Sequence, residues 1–425
     1  MGVFTGTISL MISEPDQFLR ACFDVAVAAA DPLKTIPRAL PDRPKGRVIV
    51  IGAGKASARM AEAVEQQWGP CEGLVITRYG YARPTQKIEI VEAAHPVPDL
   101  SAFDATSRML GLVQDLDEND LVLCLISGGG SSLFCAPAHG MNLPDMQAVH
   151  RALLQSGTPI GEMNIIRKHL SRIKGGQLAA ATYPAKLLCL MISDVPGDDP
   201  GDIASGPTVA ETSRAEDALN IIKRRNITMP DAAMNVLKRG SSVVKPDDEQ
   251  LKNVENIVIS APSQSLMAAS DFAKSLGVEV QILGDAIEGE ARDEARRQVE
   301  IVLQHQKIRG TGVQPLLLLS GGECTVSGWE GGVGGPNAEF ALAAAIALNG
   351  QKGIHLLACD TDGVDGAAEI AGAVVYPDTL LQTNMDAKDA LKRNDSHSFF
   401  EAAGGQVVTG PTLTNVNDFR AILIG

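Results

Sequence analysis

Apolar runs of strand length alternate with amphipathic segments of helix length along most of the chain, the pattern of α/β layering around a parallel sheet. Residues 16–31 predict an opening helix, RVIVIGAG (47–54) a buried strand running into a glycine turn, and residues 55–68 the helix that follows. Further strands are expected within 74–77, 88–99, 120–132 and 185–197, with helices at 101–116 and 143–156. Between residues 225 and 250 the long apolar runs stop, and RRNITMP and KRGSSVVKPDDEQ mark the best candidate boundary. A second series then begins at NIVISA (256–261) and continues through 278–284, 315–323, 354–363, 371–377, 406–410 and 419–424. The expectation is two three-layer α/β/α domains with mainly parallel, Rossmann-like sheets, residues 1–245 and 246–425. SGGGSS (127–132) and SGGE (320–323) each end an aliphatic strand, so each domain offers one glycine-rich turn and a cleft between the domains is the expected site.

A chain of 425 residues is long enough for two cores. Its formal charge of −14, with no basic stripe, makes nucleic acid and anionic membranes poor partners. Seven cysteines are scattered without a C-x-x-C pair, which fits reduced, mostly buried thiols in a cytoplasmic protein. The first twelve residues lack a basic n-region and a cleavage site and read as a tail or packed arm. No apolar run approaches the roughly 18 residues of a membrane span. Whether the protein is a monomer or a homodimer is not written in the sequence.

Chemistry concentrates at the strand ends. In IGAGKAS (51–57), Gly52 and Gly54 permit a tight turn, Lys55 adds a charge at the start of a helix, and Ser57 stands where a dinucleotide fingerprint has its third glycine or alanine. The next strand ends in Thr77–Arg78 without the acid that grips an NAD ribose, and the Walker spacing is absent. Ser127, Gly128, Gly129, Gly130, Ser131 and Ser132 form a candidate nest for phosphate or carboxylate, although an ordinary turn would also use glycine. NIIRKHLSRIKGG (164–176) puts four of the 37 lysines and arginines into eight positions. Read as a helix, it aligns Arg167, Ser171 and Lys174 on one face and Lys168 with Arg172 on another.

SDVPGDDPGDIASGPT (193–208) offers Asp194 at a strand end as a Mg²⁺ ligand or as the acceptor of a hydroxyl proton. Gly321, Gly322 and Glu323 end a strand, Asn337 and Glu339 fall in the first turn of a helix that capping alone would explain, and Asp360 opens another acidic loop. His95, in AAHPVPD, is a substrate contact or a structural loop residue.

Taken together and in order, IGAGKAS, AAHPVPD, SGGGSS, NIIRKHLSRIKGGQLA, SDVPGDDPGDIASGPT, SGGE, DTDGVDGAAEIAGA, NDSHSFF and TGPTLTNVND resemble the class II glycerate kinases, whose C-terminal half is called the MOFRL domain. The resemblance implies phosphorylation of D-glycerate by ATP with Mg²⁺, usually to 2-phosphoglycerate. In the resemblance Lys55 matches the family's lysine that stabilises the transferring phosphate. Together with the residue chemistry above, the expected catalytic residues are Lys55, Asp194 and Arg167, the metal ligands Asp194 and Asp360, and the binding residues Gly54, Ser57, His95, Ser127–Ser132, Lys168, Gly321–Glu323 and Asn337. One departure stands out: many members read G-R-G-G-R-N-Q-E where this chain has GVGGPNAE (332–339), so two arginines are replaced by Val333 and Pro336. An NAD(P)H-dependent hydroxypyruvate reductase and a non-catalytic binder of phosphorylated metabolites are the competing readings.

Overall fold

The structure, a computed structural model, describes residues 14–309, 314–328, 330–366 and 368–425. The expected N-terminal arm lies outside them. The described residues form two compact units: residues 32–194 with 198–260, and those of 261–425 with 195–197 and 14–31.

The first unit is built on six strands: β1 (Val48–Ala53), β2 (Glu72–Arg78), β3 (Glu89–Ala93), β4 (Leu121–Ile126), β5 (Lys186–Ile192) and β6 (Val254–Ser260). They pair in parallel in the order β3-β2-β1-β4-β5-β6. Strands β1 and β4 are buried at every position, which is why they read as unbroken aliphatic runs. Helices 143–155, 160–169, 215–224 and 231–239 surround a small core of their own, with Val149, Leu153, Ile166, Ile221 and Leu237 at its centre.

The second unit contains β7 (Glu279–Gly284), β8 (Gly289–Glu290), β9 (Leu316–Gly322), β10 (Cys324–Thr325), β11 (Ile354–Asp360), β12 (Gly372–Val375), β13 (Gln406–Val407) and β14 (Asp418–Ile424). Six of these pair as β13-β12-β11-β14-β9-β7, while β8 and β10 form a short ladder. Helices 291–309, 336–348 and 396–403 pack on one face of the sheet. The opposite face is covered by helix 262–275 and by the N-terminal helix Pro15–Ala29, whose Phe18, Leu19, Cys22, Phe23 and Ala26 are buried against Leu266, Leu317, Leu319 and Phe419.

Three expectations change. The second sheet is α/β but mainly antiparallel: only β7 and β9 run parallel within it. NIVISA lies in β6, which pairs with β5 in the first sheet instead of opening the second series. The helix expected over 164–176 spans Ile160–His169 and stops, so Arg167, Ser171 and Lys174 share no helical face. The chain leaves the helix because Ser171 bridges to Pro137, with Arg172 N donating to Ala136 O at 2.9 Å, and because Gly175 and Gly176 then take positive φ. All seven cysteines are buried and unpaired, as the sequence implied.

Candidate active site

The parallel sheet reverses its strand order between β1 and β4, and an open α/β sheet takes its ligand outside the carboxyl ends of strands at such a point. The turns after these two strands interlock. Lys55 N donates to Gly128 O at 2.8 Å, and Ala56 N to Ser127 Oγ at 3.0 Å. Ser57 Oγ donates to Leu125 O at 3.0 Å and lies 3.2 Å from Ser127 Oγ. A Cβ on Gly54 would fall 2.1 Å from Ser127 Oγ, so the two turns meet at a distance only glycine allows. Ser57 and Ser127 therefore join the turns. The first two N–H groups beyond Gly54 are spent inside the protein, and what the turn can offer an anion is the charge of Lys55.

Gly129 has φ of 81°, and a Cβ there would lie 3.1 Å from the His95 ring and 3.4 Å from Lys55 Cγ. Lys55, His95 and Gly129 are thus brought into contact. Ser132 Oγ donates to Pro96 O at 2.7 Å, which ties the His95 loop to the glycine turn. Burial, followed by the positive charges of Lys55, Arg78 and Arg167, drives the His95 imidazole down to about 3. At neutral pH it is an uncharged ring among cations.

Helix Ile160–His169 supplies the next groups. Lys168 Nζ lies 2.6 Å from Glu211 Oε2 and 3.8 Å from Asp202 Oδ1, so its charge is matched. Burial opposes ionisation of Glu211, but the hydrogen bonds from Lys168 and Ser213 outweigh it and hold the carboxyl at about 2. Asn164 Oδ1 accepts from Ser205 Oγ at 3.0 Å and from Arg167 Nη1 at 3.4 Å. Ser205 Oγ is in turn 2.6 Å from Ser131 Oγ. Ala204, Ser205 and Gly206 have φ of 51°, 61° and 58°, a left-handed turn lying so close to the glycine turn that a Cβ on Gly130 would stand 2.8 Å from Ala204 Cβ.

In the second unit, Gly321 and Gly322 close β9, Glu323 follows directly, and Asp360 closes β11. Gly322 and Asp360 both pair in register with Asp418, the first residue of β14. Asp418 accepts from Cys324 N at 3.1 Å and from Asn337 Nδ2 at 2.6 Å. Asp365 accepts from Asn337 N at 2.9 Å and from Ala338 N at 2.8 Å, capping helix Pro336–Leu348. Glu339 Oε1 accepts from Arg292 Nη2 at 2.5 Å. Pro336 occupies the first helical position, where a missing N–H costs nothing, and Val333 is 52% exposed.

The structure gathers Gly54, Lys55, Ser57, His95, Ser127–Ser132 and Arg167 at one place in the first unit. It commits Lys168 to Glu211 and Asn337 to Asp418 and Asp365. Arg78, Asn164 and Ser205 join the site without having been singled out. Arg78 had been noted only as the lack of an acid, while Asn164 and Ser205 stood inside quoted motifs as unremarkable letters.

Among the described residues no three His, Cys, Asp or Glu side chains converge as a metal cage. A Mg²⁺ ion held by one or two carboxylates and completed by phosphate oxygens and water needs no such cage; Asp194 lies just beyond β5 in the first unit, and Asp360 ends β11 in the second. Elsewhere in the first unit a cavity of about 180 Å³ is lined by His139, His169, Arg172 and Arg239. His169 and Arg239 end helices there, where the helix dipole accounts for basic residues.

Comparison with known proteins adds to this geometry. Residues 18–238 match a domain of unknown function, DUF4147, and residues 316–418 match the MOFRL family. A protein of Agrobacterium vitis that carries the provisional name hydroxypyruvate reductase is 50% identical over 416 residues, 96% of this chain and 94% of its own. The D-glycerate 2-kinase of Thermotoga maritima is 38% identical over 97% of this chain and 99% of its own. The crystal structure of a glycerate kinase from Thermotoga maritima superposes with a TM-score of 0.85 at 37% identity, covering 97% of this chain and all of that one.

Proposed function

The chain belongs to the class II glycerate kinases, and from that premise we propose that it transfers the γ-phosphoryl group of ATP to the 2-hydroxyl of D-glycerate, giving 2-phosphoglycerate and ADP. The observation that carries the reading is the gathering of Lys55, Arg78, His95 and Arg167 about a glycine turn at the switch point of the parallel sheet. Both substrates are anions, and each like-charge pair at 4 Å costs on the order of 4 kcal/mol at an effective dielectric of 20. A site that joins them needs cations in place beforehand.

In this proposal the turn Gly128–Gly130 and Lys55 receive phosphate oxygens, and Lys55 offsets charge on the transferring group. In the second unit, Gly321, Gly322 and Glu323 are the binding residues of this proposal. We assign to Asp194 the proton of the attacking hydroxyl. Mg²⁺, when bound, would neutralise the phosphates; Asp360 in the second unit is one carboxylate able to hold it, and Asp194 in the first is the alternative if it does not take the proton. The seven buried, unpaired thiols accord with a cytoplasmic enzyme.

The test is incubation with ATP, Mg²⁺ and D-glycerate, with ADP followed by a coupled assay and the product identified by phosphorus NMR. Folded protein that forms no ADP would sink the proposal, and 3-phosphoglycerate as product would move the transfer to the other hydroxyl. A second reading, reduction of hydroxypyruvate by NADPH, draws on Arg78 at the end of β2, where a dinucleotide fold meets the 2′-phosphate. Loss of the nicotinamide absorbance on adding hydroxypyruvate would favour it.

A further inference from the structure

We infer that Arg167 reads the carboxylate of the acceptor substrate, with Asn164 and Ser205 as its positioning residues, so that the site selects small 2-hydroxy acids over the corresponding uncharged polyols. The inference rests on the kinase reading above.

Of the other buried cations, Lys168 is matched by Glu211 and Arg420 by Asp418, while Lys174 donates to Phe134 O at 2.6 Å. Arg167 is 8% exposed and has no carboxylate within ion-pair distance among the described residues. Its Nε is buried without a hydrogen-bond partner, and among the described residues the one hydrogen bond of the guanidinium is the long contact from Nη1 to Asn164 Oδ1. The titratable groups whose fields it meets are His95, His150 and Lys174, all of them basic. Burial alone brings the guanidinium down to about 10, and Lys174 falls to about 7. Leaving a guanidinium desolvated with no counter-charge is strongly unfavourable, and a bound anion would relieve it.

The fork of the guanidinium matches a carboxylate through two parallel hydrogen bonds. It is also indexed to the glycine turn. The hydrogen-bond chain Ser131–Ser205–Asn164–Arg167 runs from the turn to the guanidinium, and the left-handed backbone at Ala204 and Ser205 is what brings Ser205 Oγ to Ser131. Two non-glycine residues in that conformation mark strain retained for a purpose. A carboxylate paired with Arg167 is thereby fixed relative to the turn that receives phosphates, which is the orientation a phosphoryl transfer requires.

The experiment compares wild type with Arg167→Gln, Arg167→Lys and Asn164→Ala, using D-glycerate and glycerol as acceptors and calorimetry for the binding of D-glycerate and of ATP separately. Arg167→Gln should weaken D-glycerate about 10²-fold or more, as expected for a desolvated charge pair. ATP affinity should stay within about twofold, and the preference for D-glycerate over glycerol should narrow. Arg167→Lys should recover part of the loss. Asn164→Ala should raise KM for D-glycerate about tenfold with little change in kcat. A variant at Arg167 that loses ATP affinity, or that keeps the wild-type affinity for D-glycerate, would overturn the inference and leave the kinase reading standing. Wild type that forms no ADP would remove the kinase reading, while calorimetry would still decide whether D-glycerate binds through Arg167.

Discussion

Gly129 carries a left-handed φ of 81° beneath the His95 ring and the stem of Lys55. Alanine there would take on about 1–2 kcal/mol of backbone strain and push a methyl to 3.1 Å from the imidazole. Gly129→Ala should therefore fold with its unfolding midpoint lowered by a few degrees, yet lose about tenfold or more in kcat through the displaced His95 and Lys55. Lys55→Met removes a charge expected to act most strongly in the transition state, so kcat should fall about 10²–10³-fold with a much smaller change in KM; steady-state kinetics would separate the two. These positions were legible because glycines and a lysine gathered at a strand end announce themselves in a linear string. Asn164, Ser205 and Arg78 were not. The roles of Asn164 and Ser205 depend on a left-handed turn meeting a glycine turn some seventy residues away, and no local spacing encodes that meeting; Arg78 matters through its charge at His95, which its place at a strand end does not announce.

Helix Pro336–Leu348 shows what an element needs beyond its own sequence. Its first N–H groups are satisfied by Asp365, which also lies 3.2 Å from His397 Nε2. Burial disfavours the His397 cation, but the hydrogen bonds and charge of Asp365 prevail and raise its pKa above the ordinary value. A raised pKa means the protonated ring favours the fold. That contribution is complete below about pH 6.5 and is lost as pH rises through the raised value. Denaturant titrations from pH 6 upward should show this decline in the wild type and a flatter profile in His397→Gln. Glu211 works in the opposite sense: with its pKa held at about 2, its contribution is present above the usual carboxylate range and is lost as pH falls toward 2. Strand positions were well read from the apolar runs. Strand direction was not, because alternating strands and helices look alike whether the sheet is parallel or, as around β11, β14 and β9, antiparallel. The 164–176 helix was overextended because charge periodicity continued after the backbone had turned away to pair with Ala136–Pro137.

At the scale of the molecule, the two units are not simply the two halves of the chain. The N-terminal helix completes the second unit, where Ser265 Oγ donates to Ala26 O at 2.8 Å and Thr414 Oγ1 to Ala30 O at 2.8 Å. An amphipathic segment states which of its faces is apolar but not which sheet will cover it, so order along the chain was the wrong guide to its partner. The consequence is measurable. Phe18, Leu19 and Phe23 are each 1% exposed or less, and burying a large apolar side chain contributes roughly 1.5–3 kcal/mol. Their sum approaches the whole stability of an ordinary domain, about 5–15 kcal/mol. Removing the first 31 residues should therefore leave the second unit loosely packed, with Leu266, Leu317, Leu319 and Phe419 uncovered and a hydrophobic dye bound. The parallel sheet of the first unit, whose strands all lie between residues 48 and 260, should keep its own cooperative transition. A synthetic peptide of residues 14–31 added in trans should suppress the dye signal and sharpen the second transition. The same peptide with Phe18 and Phe23 changed to serine should do neither, and if it rescued equally well the helix would not be held by the contacts described.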